Sequence, residues 1–163
     1  MVHGYIRPWF VRACMLLVLV PALACKDVRP PDPLVGTWAL NVKRSKIHPP
    51  SLPPQSMTVT YEQTTGGLRS ISTVVLRDGS ASRSEYTAAY DGKDYPITGV
   101  PHVDSVSMRQ IDPLTTECIS KRAGQQVQSY MRQVYADGRV MLVTQKGNDT
   151  VGAAIDTLVF EKR

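Results

Sequence analysis

The sequence lacks the features of several common enzyme and membrane-protein classes. Its one apolar run near the N-terminus, residues 14–20, is shorter than the about 20 residues that a membrane-spanning helix needs. No Gly-x-Ser-x-Gly motif is present and no glycine-rich loop opens a helix, so neither a hydrolase nucleophile elbow nor a phosphate-binding loop is predicted. Aromatic residues make up only 7% of the 163 residues. With 42% hydrophobic and 20% charged residues, the composition is nevertheless that of one globular domain.

The positive charge of the chain is modest and scattered. The formal net charge of +5 falls to +3 when Arg7 and Arg12 leave with a predicted leader. Residues 43–46 form the one basic cluster, and no aromatic residue lies within it. Because nucleic-acid binding needs a basic patch or stripe, we expect no nucleic-acid partner. The cluster is interpreted as a solvated loop, with contact to an anionic membrane surface as the alternative.

Residues 1–24 have the pattern of an export signal. Arg7 and Arg12 form a positive region, residues 14–20 are apolar, and Ala22 and Ala24 stand where a signal peptidase requires small residues. We therefore expect an exported protein that lies in the periplasm or at the outer membrane, with full secretion as the alternative. A buried helix is the competing interpretation of the same residues.

Cys25 follows the predicted cleavage site directly, at the position of the lipidated cysteine of bacterial lipoproteins. We expect lipidation of Cys25, with membrane contact through this anchor only, and a proline-rich tether over residues 25–33. The alternative is a free Cys25 thiol that forms a disulfide with Cys118 in an oxidising compartment.

The remaining residues, 34–163, are predicted to form short strands and no helix. Met57, Val59 and Tyr61 alternate with threonines, the period of a half-buried strand. Asp-Gly pairs, which are typical of β-hairpin turns, occur at residues 78–79, 91–92 and 137–138. Nine or ten strands joined by such turns predict an all-β fold. Several strands are polar on both faces, which favours an up-and-down antiparallel barrel of roughly eight to ten strands over a dry sandwich.

The motifs of the domain resemble those of lipocalin-like (calycin-type) β-barrels. The Gly-x-Trp at Trp38 is similar to the first strand of the lipocalin and fatty-acid-binding-protein superfamily, in which the tryptophan plugs the closed end of the barrel. The resemblance implies the same structural role for Trp38. A longer resemblance to exported lipocalin-like proteins of soil bacteria, whose motifs carry no known chemistry, rests on residues 36–47, 56–62 and 90–96.

The closing strand departs from that of the fatty-acid-binding proteins. Residues 157–162 resemble it, but Leu158 and Phe160 occupy the positions of the arginine and tyrosine that bind a carboxylate there. Fatty-acid binding is therefore not implied by the resemblance.

Arg109, Arg132 and Tyr130 are the candidate ligand-binding residues. If either arginine faces the barrel lumen, its guanidinium needs an anionic partner, because a buried unpaired charge is costly. A ligand carboxylate or phosphate could supply that partner through paired hydrogen bonds. The alternative is that both arginines face solvent or pair with Asp112 or Glu117.

We find no catalytic constellation and expect neither a metal nor another cofactor. His102 and Asp104 are two residues apart and form the best candidate pair for a general base, but no third ligand for a metal accompanies them. An enzyme is therefore the less favoured class.

The sequence predicts a cell-envelope protein that binds a small, partly apolar or amphiphilic ligand. The alternative is an envelope module with a filled barrel that binds another protein or peptidoglycan. Oligomeric state is not predicted.

Overall fold

Ten antiparallel strands follow one another within the part of the chain that the computed structural model describes, namely Met1 and residues 31–48, 53–147 and 155–163. Each strand pairs with its neighbours in sequence, and β1 also pairs with β10, so the sheet closes. This confirms the predicted all-β class and the up-and-down antiparallel barrel. The strands are β1 (Gly36–Leu40), β2 (Ser56–Thr64), β3 (Gly67–Val75), β4 (Ala81–Ala88), β5 (Asp91–Thr98), β6 (Ser105–Asp112), β7 (Thr115–Arg122), β8 (Gln125–Val134), β9 (Val140–Gly147) and β10 (Ile155–Lys162).

The predicted signal peptide and Cys25 lie outside the described residues. Residues 31–163 form one compact unit, which contains the barrel. Within the described ranges the helical structure is a 3₁₀ turn at Val42–Arg44, and no helix there is long and apolar enough to cross a membrane. Cys118 is a free, buried cysteine of β7.

Two of the three Asp-Gly pairs lie in hairpin loops, as predicted. The Asp78-Gly79 pair lies in the loop between β3 and β4, where the Leu76 amide donates to the Ser80 carbonyl at 2.8 Å. The pair at residues 137–138 lies in the loop between β8 and β9. These turns fix the register of their hairpins, so they decide which side chains of paired strands lie opposite each other.

The third pair, Asp91-Gly92, lies at the start of β5, directly after the turn residue Tyr90. The pairing of Glu85 with Thr98 and of Tyr86 with Ile97 centres the β4–β5 hairpin on this pair, so the predicted chain reversal is present. A bulge accompanies it, because Asp91 is opposite Arg109 and Asp94 is opposite Ser107. Gly92 has a φ of +73°, which glycine adopts without strain.

Trp38 lies on β1, near the end of the barrel at which the chain enters, which we call the closed end. Its side chain is fully buried, and its indole Nε1 donates a 2.7 Å hydrogen bond to the Leu34 carbonyl. The ammonium of Lys162 lies 5.0 Å from the indole ring. Asp32 holds the incoming chain against this end, because its carboxylate accepts from the Leu34 amide at 2.9 Å and from the Tyr90 hydroxyl at 2.5 Å. The end of the predicted tether thus packs on the barrel that it precedes.

The apolar core fills the closed end. Strand side chains alternate between lumen and solvent, and those of the lumen near Trp38 are large and buried. Further from Trp38, the lumen side chains include the serines Ser72, Ser82 and Ser84 of β3 and β4. The largest members of the core with Trp38 are Phe160, Leu34, Leu68, Met108 and Met141.

Candidate ligand-binding site

The barrel encloses a cavity of about 260 Å³ in the half away from Trp38. The β5–β6 loop lines its mouth with Gly99, Val100, Pro101 and Val103. Its volume is just below the 300–1,000 Å³ that is typical of pockets for drug-sized ligands. The cavity therefore has room for a small molecule and not for a large cofactor.

Arg132 lies in the wall of this cavity. It follows Tyr130 by two residues on β8, so both side chains point into the lumen. Arg132 is only 6% exposed. Its Nη2 donates a 3.1 Å hydrogen bond to the Tyr86 hydroxyl, and its guanidinium carbon lies 5.6 Å and 5.8 Å from the ring centres of Tyr61 and Tyr130. These contacts hold the charged group between three tyrosines without neutralising it.

The guanidinium of Arg132 has no anionic partner among the described residues. No salt bridge there includes it, and its Nη1 atom is buried without a hydrogen-bond partner. Thr116, directly opposite Arg132 on β7, also has a buried hydroxyl without a partner. Cys118 lies beside the guanidinium, but a thiol sulfur is a weak acceptor. Since Arg132 lines the cavity, its unpartnered guanidinium nitrogen indicates a place for a bound group.

The tyrosines around Arg132 remain neutral at ordinary pH. Burial raises the pKa of Tyr61 and of Tyr86, and this outweighs the opposing effect of the Arg132 charge. Burial likewise raises the pKa of Tyr130 to about 12. No Asp, Glu or Lys is among the described residues that line the cavity. Arg132 therefore gives the cavity a positive charge that no lining group balances.

Tyr130 and Tyr86 contribute hydroxyl groups to the cavity wall. The Tyr130 hydroxyl donates to the side-chain carbonyl of Gln128, two residues earlier on the same face of β8. Tyr86 accepts from Arg132, as described above. Both tyrosines thus combine an aromatic surface with a fixed polar tip, the mixture that small-molecule sites use to orient a ligand.

The structure does not bring Arg109 to the cavity. Arg109 is exposed on the outer face of β6, whereas its neighbour Met108 is fully buried in the lumen. Its side chain lies over the β5 bulge: a Cβ added to Gly92 would be 2.7 Å from the Arg109 Nε. The sequence carried a signal for this, because Val106 and Met108 are apolar and share the face that excludes Arg109.

His102 and Asp104 do not interact with each other in the structure. His102 is exposed in the β5–β6 loop, with its ring nitrogen against Arg122. The Asp104 carboxylate accepts instead from the Ala123 amide at 2.7 Å and from the Ser105 hydroxyl at 2.9 Å. No group of three or more possible metal ligands occurs among the described residues.

Sequence reasoning did not single out Tyr61 or the inward serines of the cavity. Ser72 and Ser84 lie directly opposite each other on β3 and β4. The Asp78-Gly79 turn could have predicted this pair, because Ser72 and Ser84 are equally far along the chain from Asp78 and therefore lie opposite each other in the hairpin. The alternation of side chains along each strand then places both on the same face.

No family in a scan of known protein families matches the chain, and no curated protein matches it significantly.

Proposed function

We propose that this protein binds small amphiphilic anions in the cell envelope, and that the anionic group of the ligand is held by Arg132. The observation that carries the proposal is the buried guanidinium whose Nη1 has no partner in the described part of the chain. A carboxylate or phosphate oxygen would accept from Nη1 and would neutralise the charge. Charge-assisted hydrogen bonds of this kind contribute about 1.5–3 kcal/mol each.

Part of the cavity lining suits the apolar portion of such a ligand. Met141 and Val143 of β9 and Leu158 of β10 form this part. An apolar group that enters from the mouth would bury its surface against them, at about 25 cal/mol per Å² removed from water. The combination favours an anion with a short apolar body.

The envelope location in this proposal rests on the expected signal peptide and lipidation of Cys25. The resemblance to exported lipocalin-like proteins agrees with it. The alternative, an interaction module with a filled barrel, has less support, since the lumen holds a cavity of about 260 Å³.

Three eight-carbon probes test the proposal, because they differ only in the headgroup. We expect octanoate to bind the purified protein more tightly than octanol, and octylammonium to bind least, since Arg132 attracts an anion and repels a cation. Isothermal titration calorimetry measures the three affinities. Native mass spectrometry of the same samples gives the stoichiometry, which we expect to be one.

Equal affinities for octanoate and octanol would overturn the anionic part of the proposal. If none of the three probes binds, the proposed function itself is wrong.

Occupancy of the cavity should protect Cys118 from thiol reagents. Cys118 is 1% exposed and lines the cavity, so a reagent such as iodoacetamide reaches its sulfur through the same space that a ligand fills. We expect saturating octanoate to slow the modification of Cys118 in proportion to the bound fraction, as measured by peptide mass spectrometry. Octylammonium at the same concentration is the matched control. An unchanged rate with octanoate bound would place the ligand outside the barrel.

A further inference from the structure

We infer that the preferred ligands are anions with hydrogen-bonding groups along one edge and an apolar surface along the other. This inference rests on the proposed function and specifies its ligand class. It follows from an unequal distribution of polar side chains around the cavity, which an alkyl chain with a single headgroup would not satisfy.

One wall of the cavity carries a set of serine hydroxyls. Ser70 and Ser72 of β3 and Ser84 and Ser82 of β4 line it, and Ser72 lies directly opposite Ser84. Residues in such positions have Cβ atoms about 4.5–5.5 Å apart, so one ligand group can reach both hydroxyls. Ser70 lies directly opposite Tyr61 of β2 and Tyr86 of β4. Within the described residues, no side-chain hydrogen bond includes Ser72 or Ser84.

The opposite wall is mainly apolar. In the closed order of the strands, β9 is five places from β4, which puts the two across the lumen from each other. Met141 and Val143 of β9 line the cavity there, with Leu158 and Phe160 of the adjacent β10, and Gln145 is the polar residue of β9 in this wall. A ligand in the cavity therefore faces hydroxyls on one side and a mainly hydrocarbon surface on the other.

Arg132 shows independently that this lined space is a ligand site. The residue is more than nine-tenths buried, it lines the same cavity as the serines, and its Nη1 has no partner among the described residues. A ligand bound there by its anionic group extends past the serine wall. If its facing edge is hydrocarbon, Ser72 and Ser84 lose water and gain no hydrogen bond, which is unfavourable. If that edge has hydroxyl groups, both serines are satisfied.

A pair of acids that differ only in hydroxyl groups tests this inference. We expect dihydroxyphenylpropanoate (dihydrocaffeate) to bind the purified protein about tenfold more tightly than phenylpropanoate, since Ser72 and Ser84 would hydrogen-bond with the two added hydroxyls. The Ser72→Ala/Ser84→Ala variant should bind both acids with nearly equal affinity. The Ser129→Ala variant should keep the preference of the wild type, because Ser129 is opposite Ile119 on β7 and lies on the outward face of β8. Calorimetry measures each affinity.

Each outcome bears on one of the two proposals. If the two acids bind the wild type equally, or if the preference survives in the Ser72→Ala/Ser84→Ala variant, the serine wall does not select the ligand and this inference is wrong. The proposed function would still stand in both cases, because an anion binds. If neither these acids nor octanoate binds, the proposed function fails and the inference fails with it.

Discussion

The Arg132→Met variant should lose its affinity for octanoate while its fold becomes more stable. Methionine has a similar length and no charge, so the variant removes the one positively charged group among the described residues that line the cavity. Loss of one or two charge-assisted hydrogen bonds corresponds to about 1.5–3 kcal/mol each, and we expect at least a tenfold weaker affinity. Calorimetry with octanoate measures it.

The gain in stability follows from the same unpaired charge. The guanidinium is 6% exposed and has no carboxylate partner in the described part of the chain, so its burial lowers the free energy of unfolding of the ligand-free protein. The hydrogen bond to Tyr86 and the contacts with two tyrosine rings offset part of this destabilisation. We expect the free energy of unfolding of Arg132→Met to rise by about 1–2 kcal/mol, as measured by urea denaturation.

Two further variants separate the roles of charge and position. Arg109→Met removes an arginine from the outer face and should change neither octanoate binding nor, beyond about 0.5 kcal/mol, the stability. Arg132→Lys keeps the charge but not the planar fork, so its affinity should fall between wild type and Arg132→Met. If Arg132→Met binds octanoate as well as wild type and is less stable, Arg132 is a structural residue.

Trp38→Ala should lower the free energy of unfolding by about 3–5 kcal/mol, the largest stability effect that we expect in this protein. The indole is fully buried at the closed end and satisfies the Leu34 carbonyl. The truncation leaves a cavity among core side chains and an acceptor without its donor. Because single domains are stable by about 5–15 kcal/mol, this is a large share of the total. Urea denaturation followed by circular dichroism measures the loss.

Trp38→Phe keeps the prediction testable if Trp38→Ala does not fold. Phenylalanine fills most of the space but cannot donate to Leu34, so we expect a loss of about 1–2 kcal/mol and an unchanged affinity for octanoate, since Trp38 does not line the cavity. Tyr135→Ala is the control, because Tyr135 is an aromatic residue that is 49% exposed. A Trp38→Ala variant within 1 kcal/mol of wild type would show that Trp38 does not hold the closed end.

Much of the fold could be predicted because its signals are local. The alternation in β2 and the turns at residues 78–79 and 137–138 are set by neighbours in the chain, and the structure has them as predicted. The bulge at Asp91-Gly92 was not predicted, because it depends on the pairing of β5 with β6, which is not local.

The candidate site was predictable only in part. Tyr130 and Arg132 are two residues apart and therefore share a face of β8, so the sequence placed both in one site, and both line the cavity. Tyr86, the hydrogen-bond partner of Arg132, is 46 residues from it, and no local pattern connects the two. The pairing of Ser72 with Ser84 was not predicted but could have been, since a single hairpin turn determines it.

The sequence by itself determined that the chain forms short strands, where most of them turn, and which side chains share a face. It did not determine which face of β8 is inside, because both faces mix polar and apolar residues. The tertiary structure decided this. Ten strands close only when one face of each lies in the lumen, and closure buried Arg132 among tyrosines while it left Arg109 in solvent. The unpaired charge of Arg132 in the cavity therefore results from closure of the sheet, and the sequence of β8 alone does not predict it.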